Sequence, residues 1–141
     1  MVFPVRMRAW RIHEFGSPEV LRLEAAPVPS PGPGDVLVKI AVASINPIDW
    51  KMRSGLLQNV MKIALPRTLG RDCAGTIVAV GEGISEVAIG QVVAGLTDPA
   101  KHGTHAEYAV LPVVQAAPIP PGIVPEVAAS RPLKKGEEYL R

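Results

Sequence analysis

Proline and glycine cut this chain into pieces too short for any long helix. The run Pro27-Val28-Pro29-Ser30-Pro31-Gly32-Pro33-Gly34 is the extreme case. Pro lacks a backbone donor and Gly loses the most entropy on ordering, so neither a helix nor a central strand passes through it. It reads as an extended surface connection. Directly after it, residues 35–44 carry the strongest strand pattern in the sequence. Val36, Val38, Ile40 and Val42 share one face, and Leu37, Lys39, Ala41 and Ala43 share the other. The 13 glycines and 15 prolines make up about a fifth of the 141 residues, above ordinary usage but short of a low-complexity composition. The spacing predicts short strands over residues 8–12, 20–24, 35–44, 73–80, 90–95 and 104–110. A short helix is expected over 49–53. Many short strands separated by turn signals suit a barrel or sandwich rather than a parallel sheet.

Bulk properties narrow the class. A chain that is 48% hydrophobic is not disordered, and 141 residues give one domain with a real core. The net charge of +2 is spread along the chain, with no Lys/Arg cluster of the kind that binds nucleic acid. A single Cys excludes an internal disulfide and fits a reducing compartment. Met1 to Met7 holds no apolar run of signal-peptide length, and no span for a membrane appears elsewhere. The expectation is a soluble, cytoplasmic, mainly β domain that engages neither nucleic acid nor membrane.

The chemistry-bearing residues cluster in two segments, Ser44-Ile45-Asn46-Pro47-Ile48-Asp49-Trp50-Lys51-Met52-Arg53-Ser54-Gly55 and Leu69-Gly70-Arg71-Asp72-Cys73-Ala74-Gly75. Asn46 is a polar amide just after a buried strand, braced by Pro47, and so placed to point into a cleft at the barrel's edge. Equally, Asn46-Pro47 builds a turn and Asp49 caps the helix that follows. On that helix Arg53 is a candidate for an anionic group, Lys51 reads as solvated surface and Trp50 as core packing. Arg71 and Asp72 are adjacent opposite charges at the start of a strand, either an ion-paired corner or part of a polar network lining the cleft. Cys73 begins an apolar strand and reads as an inert buried thiol. Gly81-Glu82-Gly83 opens like a phosphate-binding fingerprint, but the third glycine would fall at Glu86 and no helical pattern follows. His102 and His105 lie three apart without the third and fourth ligands that zinc needs.

The two segments resemble, in order and spacing, linked signatures of the medium-chain dehydrogenase/reductase superfamily, in its zinc-free quinone oxidoreductase branch. The resemblance runs from about residue 7 to 130 and implies an N-terminal GroES-like β-barrel with a few short helices. In the zinc-dependent branch a Cys stands where this chain has Asn46, and Gly-His-Glu where it has Gly70-Arg71-Asp72. Arg keeps its proton and cannot ligate, so the resemblance implies no zinc. It also implies that the complete enzyme transfers a hydride from NADPH to a quinone or an α,β-unsaturated carbonyl. Asn46 would lie near the nicotinamide with Asp49 beside it, while Gly70, Arg71 and Asp72 line the cleft and Arg53 waits at its edge. Residues 1–130 would form the substrate-side domain. Residues 131–141, with Leu133-Lys134-Lys135-Gly136-Glu137, resemble the lead-in to a Rossmann domain that these residues do not include. The chain alone is then expected to bind NADPH weakly or not at all, to be inactive, and to self-associate through the face a cofactor domain would cover. Two alternatives stay open: a stand-alone GroES-like binding or assembly module, and a zinc-type alcohol dehydrogenase domain.

Overall fold

The computed structural model describes residues 3–130. In chain order its elements are β1 (Arg6–Ile12), β2 (Arg22–Pro27), β3 (Asp35–Ala43), α1 (Pro47–Ser54), β4 (Arg67–Thr68), β5 (Asp72–Val80), β6 (Val92–Leu96), β7 (Tyr108–Pro112), β8 (Ala116–Pro118) and α2 (Pro125–Ala129). Among the described residues every strand pairing is antiparallel, in a three-stranded sheet β2-β1-β4 and a five-stranded sheet β7-β3-β5-β6-β8. An isolated bridge, Ala9 with Ala106, joins the two. The mainly β, barrel-like expectation therefore holds. No helix among the described residues is long and apolar enough to cross a membrane.

β3 is the centre of the fold because both of its faces are apolar. Val36 and Val38 pack with Ile77, Val93 and Leu111 on one side. Leu37 packs with Met7, Val78, Tyr108 and Val110 on the other. All three β3 side chains are fully buried. Further along, β3 has only partly buried and exposed residues, so the strand that anchors the core ends as the wall of a cleft.

Several boundaries moved, each for a local reason. The strand expected over 20–24 runs from Arg22 to Pro27, because Pro18–Val20 forms a 3-10 turn. Its apolar residues do not make a core face: Leu23 is 52% exposed while Ala26 is buried. The strand expected over 104–110 starts only at Tyr108. The preceding stretch makes its backbone bonds elsewhere, from Gly103 N–H to Thr68 and from His105 N–H to Leu69, while its His105 carbonyl accepts from Trp10 N–H. β4 and β8 were not anticipated; two or three residues are too few to show a period. The reading of 131–141 lies outside the described residues.

β5 lies tight against β3, and Gly75 is the point of closest approach. A Cβ there would fall well inside van der Waals distance of the Lys39 carbonyl, beside an irregularity in the register between Ile40 and Val42. Gly75→Ala should therefore cost about 1–3 kcal/mol of stability, as overpacking does. Urea denaturation would check this, since a mere gain in chain stiffness would instead stabilise.

Candidate functional site

The site is assembled where the end of β3, the start of α1 and the start of β5 meet. Pro47 opens α1, and Asn46 precedes it with extended backbone angles (φ −123°, ψ 159°). Gly55 ends the helix in the left-handed region at φ 87°, which a residue without Cβ adopts at no steric cost. Asp49, buried at 5% exposure, sits one turn in. One carboxylate oxygen accepts the Asn46 N–H at 2.7 Å and the other accepts the Gly70 N–H at 3.0 Å. The carboxylate thus ties the helix start to the β4–β5 turn, with charge-assisted bonds worth about 1.5–3 kcal/mol each.

Asn46 turns its side chain to Asp72, its Nδ2 donating to Asp72 Oδ2 at 2.5 Å. Asp72 is buried, and its Oδ1 has no partner among the described residues. Burial pushes the Asp72 carboxyl above its ordinary value of 3.8, the Asn46 bond and the Arg71 charge pull it back, and the Asp49 charge adds to the rise. Cys73 follows. Burial and the neighbouring Asp72 push its thiol up to about 12, so it stays protonated and inert, as its apolar setting suggested.

His105, which carried no site role in the sequence, belongs to this cluster. Its Nε2 lies 3.0 Å from the Ser44 carbonyl and 4.0 Å from Asp49 Oδ2. A carbonyl offers no proton, so Nε2 must carry the hydrogen. Thr104 beside it donates to the Asp72 carbonyl at 3.1 Å. Only one sequence signal marked this contact, a pair of distant glycines. Gly70 (φ 102°) and Gly103 approach so closely that a Cβ on either would strike the other's segment.

The candidates thus divide. Asn46, Asp49, Gly70 and Asp72 form one hydrogen-bonded corner. Arg53 stands apart on the helix, its Nε donating to the Gly16 carbonyl at 3.3 Å. Arg71 lines a hollow of about 330 Å³ with Thr97, Asp98 and Gln115. It forms no ion pair with Asp72 among the described residues, so the ion-paired corner does not occur. A larger cleft of about 740 Å³ opens on the other side, where Asp49 and Arg53 are the only candidates on its walls. Its surface is dominated by Trp10, Leu23, Ile45 and Trp50, all exposed; Trp50, expected against the core, is 45% exposed at its lip. The larger cleft also carries Asp49, Arg53, Thr104 and His105 on its walls, while the smaller hollow sets the Arg71 guanidinium beside Thr97, Asp98 and Gln115.

Residues 32–121 match the family model for the alcohol dehydrogenase GroES-like domain. The chain belongs to this family. A quinone oxidoreductase from Lama guanicoe is 44% identical over 105 residues, covering 74% of this chain and 31% of the relative. The trans-enoyl reductase pgmF from Aspergillus terreus is 38% identical over 133 residues, 84% of this chain and 37% of that protein. Among solved structures, mycobacterial Rv1454c complexed with NADPH superposes with a TM-score of 0.79 at 34% identity, over 90% of this chain and 38% of that one. The chain spans about a third of the length of the curated relatives it matches.

The donor set of this GroES-like domain does not fit zinc. Asn46 spends its amide on Asp72, Arg71 has no lone pair to offer, and among the described residues no three His, Cys, Asp or Glu side chains converge on a metal-sized space. The Asp72 carboxyl titrates higher folded than unfolded, so the folded state holds its proton longer. Stability linked to it is fully present below 3.8 and is lost as pH rises through the raised folded value. Asp72→Asn should escape this loss, gaining on the wild type as pH climbs from 3 towards 7. Urea titrations across that range would check it; a difference independent of pH would contradict the assignment.

Proposed function

We propose that this domain is the acceptor-side half of an NADPH-dependent oxidoreductase that reduces quinones or α,β-unsaturated carbonyls. The observation that carries the reading is the Asn46–Asp72 hydrogen bond, with Arg71, next to Asp72 in the chain, lining a hollow of its own. By resemblance, Asn46 and Arg71 stand where the zinc branch has two ligands, and here those positions hold an amide and a cation. Such a site binds and polarises oxygen without a metal. Similarity to proteins called quinone oxidoreductase and trans-enoyl reductase supports the substrate class, and similarity to a structure complexed with NADPH supports the cofactor.

The described residues suit one end of that cofactor. Phosphates need free N–H groups at a helix start or a glycine cradle. At α1 the Asn46 N–H is already taken by Asp49 and the next residue is Pro47. The Gly81-Glu82-Gly83 turn leads into no helix. The pyrophosphate thus finds no holder among the described residues, and we read Asn46 as facing the nicotinamide end, as the resemblance implies. When bound, a reduced nicotinamide supplies the hydride. The chain's own contribution is to fix the acceptor against it and to exclude water. Asp49 keeps Asn46 in register, and Asp72 fixes the orientation of its amide. The exposed apolar cleft suits burial against protein, which favours self-association in a homo-oligomer. Cytoplasmic residence fits the single buried thiol.

The test is NADPH oxidation by the full-length gene product with a quinone and with an enone. Asn46→Ala should lower kcat on the order of 10²-fold through lost positioning, with the fold retained by circular dichroism. Absence of turnover in the wild type, or an unchanged rate in N46A, would count against the reading.

A further inference from the structure

We propose that Arg71 is an oxyanion-binding residue, receiving in the smaller hollow the phenolate or enolate oxygen that the acceptor develops on reduction. The inference rests on the oxidoreductase reading above and adds a substrate-contacting residue to it. Among the described residues no acceptor lies within hydrogen-bond distance of the half-buried Arg71 guanidinium, and no carboxylate within ion-pair distance. Asp98 lines the same hollow, with its Oδ1 accepting the Ala100 N–H, and makes no ion pair with Arg71 among the described residues. Guanidinium is weakly hydrated and matched to planar oxygen acceptors; this one lines a hollow of about 330 Å³ and acts on the Asp72 carboxyl through charge alone, with its donors free for an incoming oxygen.

The surroundings hold it in place. The Arg71 carbonyl accepts the Thr97 N–H at 2.9 Å, and Thr97 Oγ1 donates to the Gly70 carbonyl at 3.3 Å. The backbone bearing Arg71 is therefore stitched to the end of β6 on both sides of its α-carbon. Arg67, buried beneath, donates to the carbonyls of Pro99 and Ala100 and so fixes the rim. Arg67 feels the Asp98 carboxylate more than the Arg71 charge, so Asp98 offsets part of the positive charge around the hollow.

The chemistry balances. The hydride brings a proton and two electrons from the reduced nicotinamide to the β-carbon of an enone, forming a C–H bond there. The displaced π pair moves through the α-carbon to the carbonyl oxygen, giving the enolate, and water later protonates the α-carbon. With a quinone the pair arrives as a phenolate. Charge appears on oxygen in the transition state, where a preorganised donor is worth most.

The experiment uses the full-length gene product with Arg71→Gln, Arg71→Ala and Arg71→Lys. Two readouts are needed: NADPH oxidation, and binding of 4-nitrophenolate without cofactor, followed by its absorbance. Expected are a fall in kcat of about 10²-fold in R71Q with KM for NADPH unchanged, recovery of R71A by millimolar guanidinium, and loss of nitrophenolate binding in both. R71K, with charge but no fork, should fall between, and it decides the matter if R71Q fails to fold. A rate within twofold of wild type together with intact nitrophenolate binding in R71Q overturns the proposal. A wild type that binds nitrophenolate through Arg71 yet oxidises no NADPH sinks the oxidoreductase reading while supporting the oxyanion site.

Discussion

The Asp49 carboxylate, clamped between the N–H groups of Asn46 and Gly70, is the interaction from which the rest of the site follows. It joins two segments 21 residues apart in the chain. Without it, the helix start and the β4–β5 turn would each leave a donor unsatisfied in a buried setting, a cost of about 1–3 kcal/mol per group. Because both oxygens are engaged, the carboxylate has one orientation, and that orientation sets where Asn46 stands and how β5 begins. Asp72, Thr104 and His105 then fall into a fixed arrangement around it. A sheet core centred on β3 makes this possible by burying the strand that delivers Ser44 and Asn46.

Much of this was legible in the residues. The two-faced apolar pattern of β3 follows from side-chain alternation, and the Asn-Pro followed by Asp gives a helix start with its cap. What could not be read was the long-range pairing. Arg71 is adjacent to Asp72 in sequence, which suggested an ion pair, but neighbours along a strand point to opposite faces, and the two charges part company. Trp50 is apolar and so read as core. Its burial depends on which neighbours the fold brings up, and among the described residues those neighbours leave a cleft open. His105 joins the corner only because Gly70 and Gly103 let two backbones touch, a relation between positions 33 apart that no local period reveals.

In the proposed reading an amide and a guanidinium stand where the zinc branch has ligands, and this changes what the site must protect. A zinc site depends on deprotonated donors and is sensitive to acid and to chelators. Here the corresponding positions are neutral or permanently charged, and Asp72, the carboxyl of this corner whose value is raised, supports Asn46. In the proposed reading, what Asn46 and Arg71 present to an acceptor does not change with pH near neutrality.

Cys73 shows what that arrangement means for survival in use. Quinones and enones are Michael acceptors, and a thiolate adds to them irreversibly or nearly so. The chain's one thiol lies directly beside Asp72, yet burial and that carboxylate's charge keep it protonated up to about 12. Under the proposed function, the domain carries its own nucleophile in a form that such electrophiles cannot reach, and turnover need not end in self-alkylation.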